Sequence, residues 1–216
     1  MKESPSVSKI VSTVLKTVCF LVIFGVIAIL LIRIVMAEYY PKRMKSLYPS
    51  AELVAACEAD PTLAVRRQDL RISYDDPNYS LFMASNQFYC PETGEFQITL
   101  RYNVSTLEEM KKDFALPAVP QPDPALFDFS LLDNNGHRTP LTCVWTEGKF
   151  MYQYMKLVTS DLDFSQDPGW IRVEIYYKGA VDYAEDAYSR IPVYEKELVE
   201  GDVVYTPTPE ELKPWQ

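Results

Sequence analysis

The sequence predicts a mainly β protein: an N-terminal transmembrane helix followed by an antiparallel β-sandwich carrying one or two short helices. Three observations predict it. An apolar run near the N-terminus is long enough to span a bilayer. Short segments rich in β-branched and aromatic residues then recur between turn signals. Finally, glycine is scarce (7 of 216 residues) while tyrosine (15) and proline (16) are plentiful, which favours strands and proline-punctuated loops over helical bundles. A chain of this length has room for an anchor and one domain of about 100–150 residues.

Residues 1–16 read as a basic tail containing Lys2, Lys9 and Lys16. From Thr17 to Ile32 sixteen residues carry no charge, and after Arg33 the apolar character continues to Ala37. Residues 17–37 make about 31 Å of helix, matching a hydrocarbon core of about 30 Å. Arg33 lies one turn from the end, where its stem reaches the headgroups, and Tyr39 and Tyr40 supply an interfacial aromatic pair before Pro41 ends the helix. The rival reading is a cleaved signal peptide, because Val35-Met36-Ala37 has a cleavage-site pattern; the length of the run and of the tail before it favours the anchor. A buried core helix would show a periodic polar face, and none interrupts the run. Basic residues flank both ends, with Arg33, Lys42, Arg43 and Lys45 on the far side. A short basic tail is ordinarily retained in the cytoplasm, so the reading is a single-pass protein of the cell membrane with an extracytoplasmic C-terminal domain. The reverse orientation would make it a cytoplasm-facing regulatory domain.

Residues 38–67 read as a juxtamembrane helical connector, with Ser50 as N-cap and Asp60-Pro61 as breaker. Residues 68–204 read as the sandwich. Its expected strands are Leu70–Tyr74, Leu81–Tyr89, Glu95–Tyr102, Leu126–Leu132, His137–Val144, Phe150–Thr159, Trp170–Tyr177 and Ile191–Lys196. Cys90-Pro91-Glu92-Thr93-Gly94 and Asp133-Asn134-Asn135-Gly136 have hairpin-turn chemistry. Ser105 and Thr106 before Glu108 and Glu109 form a capping-box pattern opening a helix to Phe114, and the proline-rich run 117–124 reads as a crossing loop. Residues 205–216, again rich in proline, read as a disordered tail.

Four of the 21 Lys/Arg and one of the 30 Asp/Glu lie in residues 1–37, so the rest carries 17 bases against 29 acids, net −12. Such a surface repels phosphate backbones, and nucleic acid is excluded as a partner. Cys57, Cys90 and Cys143 remain outside the apolar run. They permit one disulfide in any of three pairings, or none, with reduced thiols packed as small hydrophobes.

The segments FDFSLLDNNGHRTPL and YMKLVTSDLDFSQDPGWIRVEIYYKG resemble the second half of the immunoglobulin-like (telokin-like) domains that follow an N-terminal anchor in uncharacterised Gram-positive bacterial surface proteins. The resemblance spans Leu70 to Lys196 and departs from the family at the helix near Thr106–Phe114. It implies an Ig-like sandwich at the cell surface and no catalytic residues.

His137 is the only histidine, so a Ser/His or Cys/His mechanism would have to use it; after an Asn-Gly turn it reads as a solvent-facing turn residue. Asp161, Asp163, Ser165 and Asp167 space oxygen donors as in a calcium loop. Gln166 stands where that loop needs glycine and Arg172 where it needs glutamate, so the stretch reads as a solvated acidic loop and no metal is expected. Tyr176, Tyr177, Tyr183, Tyr188 and Tyr194, interleaved with Asp182, Glu185 and Asp186, form a candidate ligand surface, because a tyrosine offers both area and a polar handle. No Walker, Rossmann, CxxC or HExxH motif is present in the sequence, and no cofactor is expected. The expectation is a non-enzymatic, membrane-integral interaction module binding a protein or an envelope polymer. The alternative is an envelope hydrolase using a carboxylate pair.

Overall fold

The computed structural model describes residues 7–37, 40–68, 82–103, 127–149, 152–163, 170–177, 189–195 and 203–215. The chain divides into two compact units, Met1–Tyr40 and Pro41–Gln216.

In the first unit, α1 (Val7–Ala37) is one continuous helix. It starts ten residues before the expected Thr17, because no proline or glycine interrupts residues 7–16. Val11–Val35, with mean hydropathy 3.1, is long and apolar enough to cross a membrane. A spanning segment and a signal sequence share these properties. From Val11 to Val35 its large apolar side chains are exposed on all sides of the helix. The Thr17 hydroxyl donates to the Thr13 carbonyl at 3.0 Å, which satisfies it without water.

The second unit is mainly β. Among the described residues a 3-10 turn (Arg43–Lys45) and α2 (Ala51–Ala59) precede nine strands: β1 (Val65–Gln68), β2 (Phe82–Cys90), β3 (Glu95–Asn103), β4 (Phe127–Asp133), β5 (Arg138–Lys149), β6 (Tyr152–Thr159), β7 (Trp170–Tyr177), β8 (Ser189–Glu195) and β9 (Val203–Tyr205). They form one antiparallel sheet in the order β8-β7-β4-β5-β6-β3-β2-β1-β9. The expected helix start at Ser50 is present, its side chain accepting from the Leu53 N–H at 3.1 Å. The Asn-Gly hairpin joins β4 to β5, with Gly136 at φ +84° and Asp133 Oδ1 accepting from the backbone of Asn135 and His137.

The two layers of the fold are two halves of this one sheet. β5 makes that possible: Arg138–Leu141 pairs with β4, while Thr142–Lys149 pairs with β6 through a ladder interrupted by a bulge between Cys143 and Trp145. The sheet curls there, and the inner faces of its halves meet. Phe127 of β4 stacks edge-on against Phe82 of β2 at 5.1 Å and Tyr102 of β3 at 5.7 Å. Ile98, Leu100, Met155, Leu157, Ile171, Val173 and Ile175 belong to this core, all fully buried.

A second bulge, in β2 between Ser85 and Phe88, carries Asn86 at φ +47° and reverses which residues face inward. Phe82 and Ala84 therefore join the inner core, while Phe88 and Cys90 face outward into a smaller cluster with Leu47, Leu53, Cys57, Leu63 and Val65. That cluster seats α2 on the outer face. Gly94 closes the β2–β3 turn at φ +71°; a Cβ there would lie 2.7 Å from the Ser160 carbonyl, so the turn requires glycine.

Two stretches differ from the sequence reading. Residues 41–68 belong to the folded unit, and Val65–Gln68 is a strand paired to both β2 and β9 where a helical connector was expected. Residues 205–215 are packed where a disordered tail was expected: Tyr205 closes β9, Leu212 packs on the outer cluster, and Trp215 stacks edge-on against Tyr48 and Trp145. Proline content depressed the expectation, yet Pro207 is buried and Thr208 caps a short turn through Glu211. The expected strand at Leu70–Tyr74, the helix at Thr106–Phe114 and the proline-rich run 117–124 lie outside the described residues.

Candidate functional site

The outward row where β7, β4 and β5 lie side by side holds a polar site. Register places Glu174 beside Ser130, and Ser130 beside Pro140; Tyr176 sits opposite Asp128 and Arg138 opposite Leu132. Although it faces away from the core, the Glu174 side chain is 0% exposed. Arg138 Nε donates to its Oε2 at 2.9 Å and the Tyr176 hydroxyl donates to the same oxygen at 2.6 Å. Arg138 itself is 57% exposed. Its hydrogen bonds to Glu174 and Tyr176 hold the guanidinium above its ordinary value, while burial and the bond to Glu174 push the Tyr176 hydroxyl up. The carboxylate is thereby committed to holding two neighbours in place.

Beside this trio lies an open cleft of about 800 Å³, lined by Ser130, Arg138, Thr142, Trp145, Thr146 and Tyr176 among others. Ser130 Oγ is buried there with no hydrogen-bond partner. A second depression of about 430 Å³ shares Pro140, Thr142 and Val144 with the first and runs to Ser50 and Glu52 at the start of α2 and to Asp161. The outer face of the sheet thus carries an elongated groove on both sides of the middle of β5.

A different polar site lies under the segment after Pro41. On β3, the inner residues Phe96, Ile98, Leu100 and Tyr102 alternate with Glu95, Gln97, Thr99 and Arg101, and every one of these is buried. Residues 44–48 cover part of the polar set as a strap. Thr99 Oγ1 donates to the Met44 carbonyl, Lys156 Nζ to the Ser46 carbonyl at 3.0 Å, and Gln97 both accepts from and donates to the Tyr48 backbone at 2.7 Å. Alternate strap residues are therefore read through their backbone. Lys156 is fully buried, with Nζ 4.7 Å from the Phe88 ring centroid. Burial drops its ammonium to about 7, against a smaller opposing pull from Glu95. Glu95, held by Gln97 Nε2 at 2.8 Å and Ser160 Oγ at 2.9 Å, is pushed up by burial.

Of the tyrosines expected to form a ligand surface, Tyr176 lines the cleft. Tyr177 ends β7 opposite Phe127, and Tyr194 lies opposite Ile171 on β8. Tyr183 and Tyr188 lie outside the described residues. Asp161 and Asp163 are exposed, and Leu162 between them is anchored by its N–H to the Gly94 carbonyl at 3.1 Å. Ser165 and Asp167 lie outside the described residues, and among the described residues no group of three His, Cys, Asp or Glu is placed to hold a metal ion. His137 is 71% exposed on the hairpin turn, 3.2 Å from Asp133. Among the described residues no disulfide links the cysteines; Cys57 and Cys90 share the outer cluster, where burial pushes both thiols up.

Sequence reasoning missed Arg138, Glu174, Ser130 and Trp145, as well as the strap. Alternation along β7 and β4 signalled that Glu174 and Ser130 face away from the core, and nothing local signalled that they would be covered there. No protein-family model matches the chain, and no curated protein matches it.

Proposed function

We propose that the chain is a membrane-anchored, non-enzymatic interaction module of the Ig-like kind, with its sheet domain on the extracytoplasmic side and the groove along β5 as its ligand surface. The partner is a protein or an envelope polymer, and no cofactor is needed. The observation that carries this reading is the Arg138–Glu174–Tyr176 trio. Its carboxylate is sealed and tied to two donors, an arrangement suited to presenting a fixed surface and ill suited to transferring a proton. Pre-paired side chains also lower the ordering cost of binding. The apolar helix supplies the anchor, the short basic tail ahead of it supports an inside N-terminus, and only Glu38–Tyr40 separate helix and sheet domain in sequence.

Two experiments test it. Protease added to intact cells should digest the sheet domain and leave a membrane-bound stub of α1; protection until lysis would reverse the orientation. A photo-crosslinking residue at Thr142, exposed in the groove, should capture a partner that the same residue at exposed Thr62 does not. Equal capture at both positions, or none at either, would remove the groove as the ligand surface.

A further inference from the structure

We infer that the groove along β5 takes a neutral saccharide chain, a conclusion that rests on the groove being the ligand surface. Charge narrows the class first. Among the described residues, Arg138 is the one cation lining either depression and is already paired with Glu174; Arg43 beside the cleft is engaged over the Trp145 ring, and Asp128, Glu52 and Asp161 add negative charge. An acidic polymer would have to compete with a carboxylate already in place and approach three more. A cationic ligand, conversely, finds Glu174 sealed beneath Arg138 and Tyr176.

Hydrogen-bonding capacity points to hydroxyl groups. The Ser130 hydroxyl is buried without a partner, and because the residue itself is half-buried, turning χ1 toward the cleft lets a ligand complete it. Thr142 and Thr146 offer exposed hydroxyls in the same cleft. Hydroxyls both donate and accept, and so do the hydroxyls of a sugar. Beside them Tyr176 and Pro140 supply an apolar wall on which the C–H face of a sugar ring packs, while Trp145, with Arg43 4.9 Å over its ring and Trp215 edge-on at 5.8 Å, borders the cleft. The cleft volume lies within the range of about 300–1,000 Å³ typical of small-ligand sites. Continuation past Pro140, Thr142 and Val144 toward α2 fits a ligand made of several units.

The test uses the full chain in detergent micelles, presented to an array of neutral oligosaccharides including chito- and cello-oligomers, with oligogalacturonate and a lysine-rich peptide alongside. Binding to neutral oligosaccharides is expected, weakened about ten-fold or more by Ser130→Ala and by Tyr176→Ala, and unchanged by Thr62→Ala. Ser130→Ala removes an unsatisfied hydroxyl, so its melting temperature should equal or exceed that of the parent chain, which separates lost binding from lost folding. Preference for oligogalacturonate or the peptide, or neutral-glycan binding that survives both substitutions, overturns the saccharide. If saccharides fail while the Thr142 crosslinker still captures a protein, the ligand-surface reading stands and this inference falls. If both fail, both fall.

Discussion

The two faces of β3 are buried to the same extent by different physics. The inner residues Phe96, Ile98, Leu100 and Tyr102 meet the opposite half of the curled sheet, where contact is apolar, non-directional and proportional to area. Outward, Glu95, Gln97 and Thr99 meet the strap and its surroundings, where each polar atom needs a partner at the right distance. The inner face tolerates any well-shaped hydrophobe. The outer face specifies a particular stretch of backbone, and it places the first residues of the sheet domain after α1 in register with the sheet.

Three substitutions probe that contrast. The largest effect belongs to the inner face: Phe127→Ala should destabilise the sheet domain by about 3–5 kcal/mol, read as a lower denaturant midpoint by tryptophan fluorescence, because its ring meets both Phe82 and Tyr102. A loss of under about 1 kcal/mol would mean that the two halves do not share a core. Next, Gln97→Ala strands the N–H and carbonyl of Tyr48 and should cost about 1–3 kcal/mol. Its signature is local: amide exchange should rise at residues 44–48 ahead of β3 and β6. Unchanged exchange there would show that the polar face does not hold the strap.

The smallest effect has the opposite sign. Lys156 has a folded pKa of about 7, below its ordinary 10.5, so the folded state bears a buried charge below about pH 7 and is relieved of it as pH rises toward 10.5. Glu95 is displaced upward by burial, so its penalty grows as pH rises from the ordinary 4.5 through its folded value. Cys57 and Cys90 are displaced upward from 9.0, so stability falls above that pH as the unfolded thiols ionise first. The clean window is pH 7 to 9, in which stability of the parent chain should rise. Lys156→Met should flatten that rise and be roughly 1–2 kcal/mol more stable than the parent at pH 6. A parent profile that stays flat from pH 6 to 9 would show Lys156 to be hydrated.

Phe127 and Gln97 also mark how far the sequence could be read. A strand signal over Leu126–Leu132 named β4, and Asp133-Asn134-Asn135-Gly136 named the hairpin between β4 and β5. Both are local signals, spaced two to four residues apart. Tyr176 was named as a ligand residue on its chemistry alone, without the partners that position it.

By itself the sequence determined the apolar helix, the β character of the remaining chain, the start of α2 at Ser50 and most strand positions described. Periodicity, capping and turn chemistry act over a few residues and need no distant partner. Only the tertiary structure decided that the halves of the sheet are continuous through β5, that residues 205–215 are packed, and that polar residues would be buried on the outer face. Arg138 meets Glu174 across 36 positions, Gln97 meets Tyr48 across 49 and Lys156 meets Ser46 across 110. A polar residue on an outward strand position reads as solvated until the chain brings back something to cover it, and no local pattern records that return.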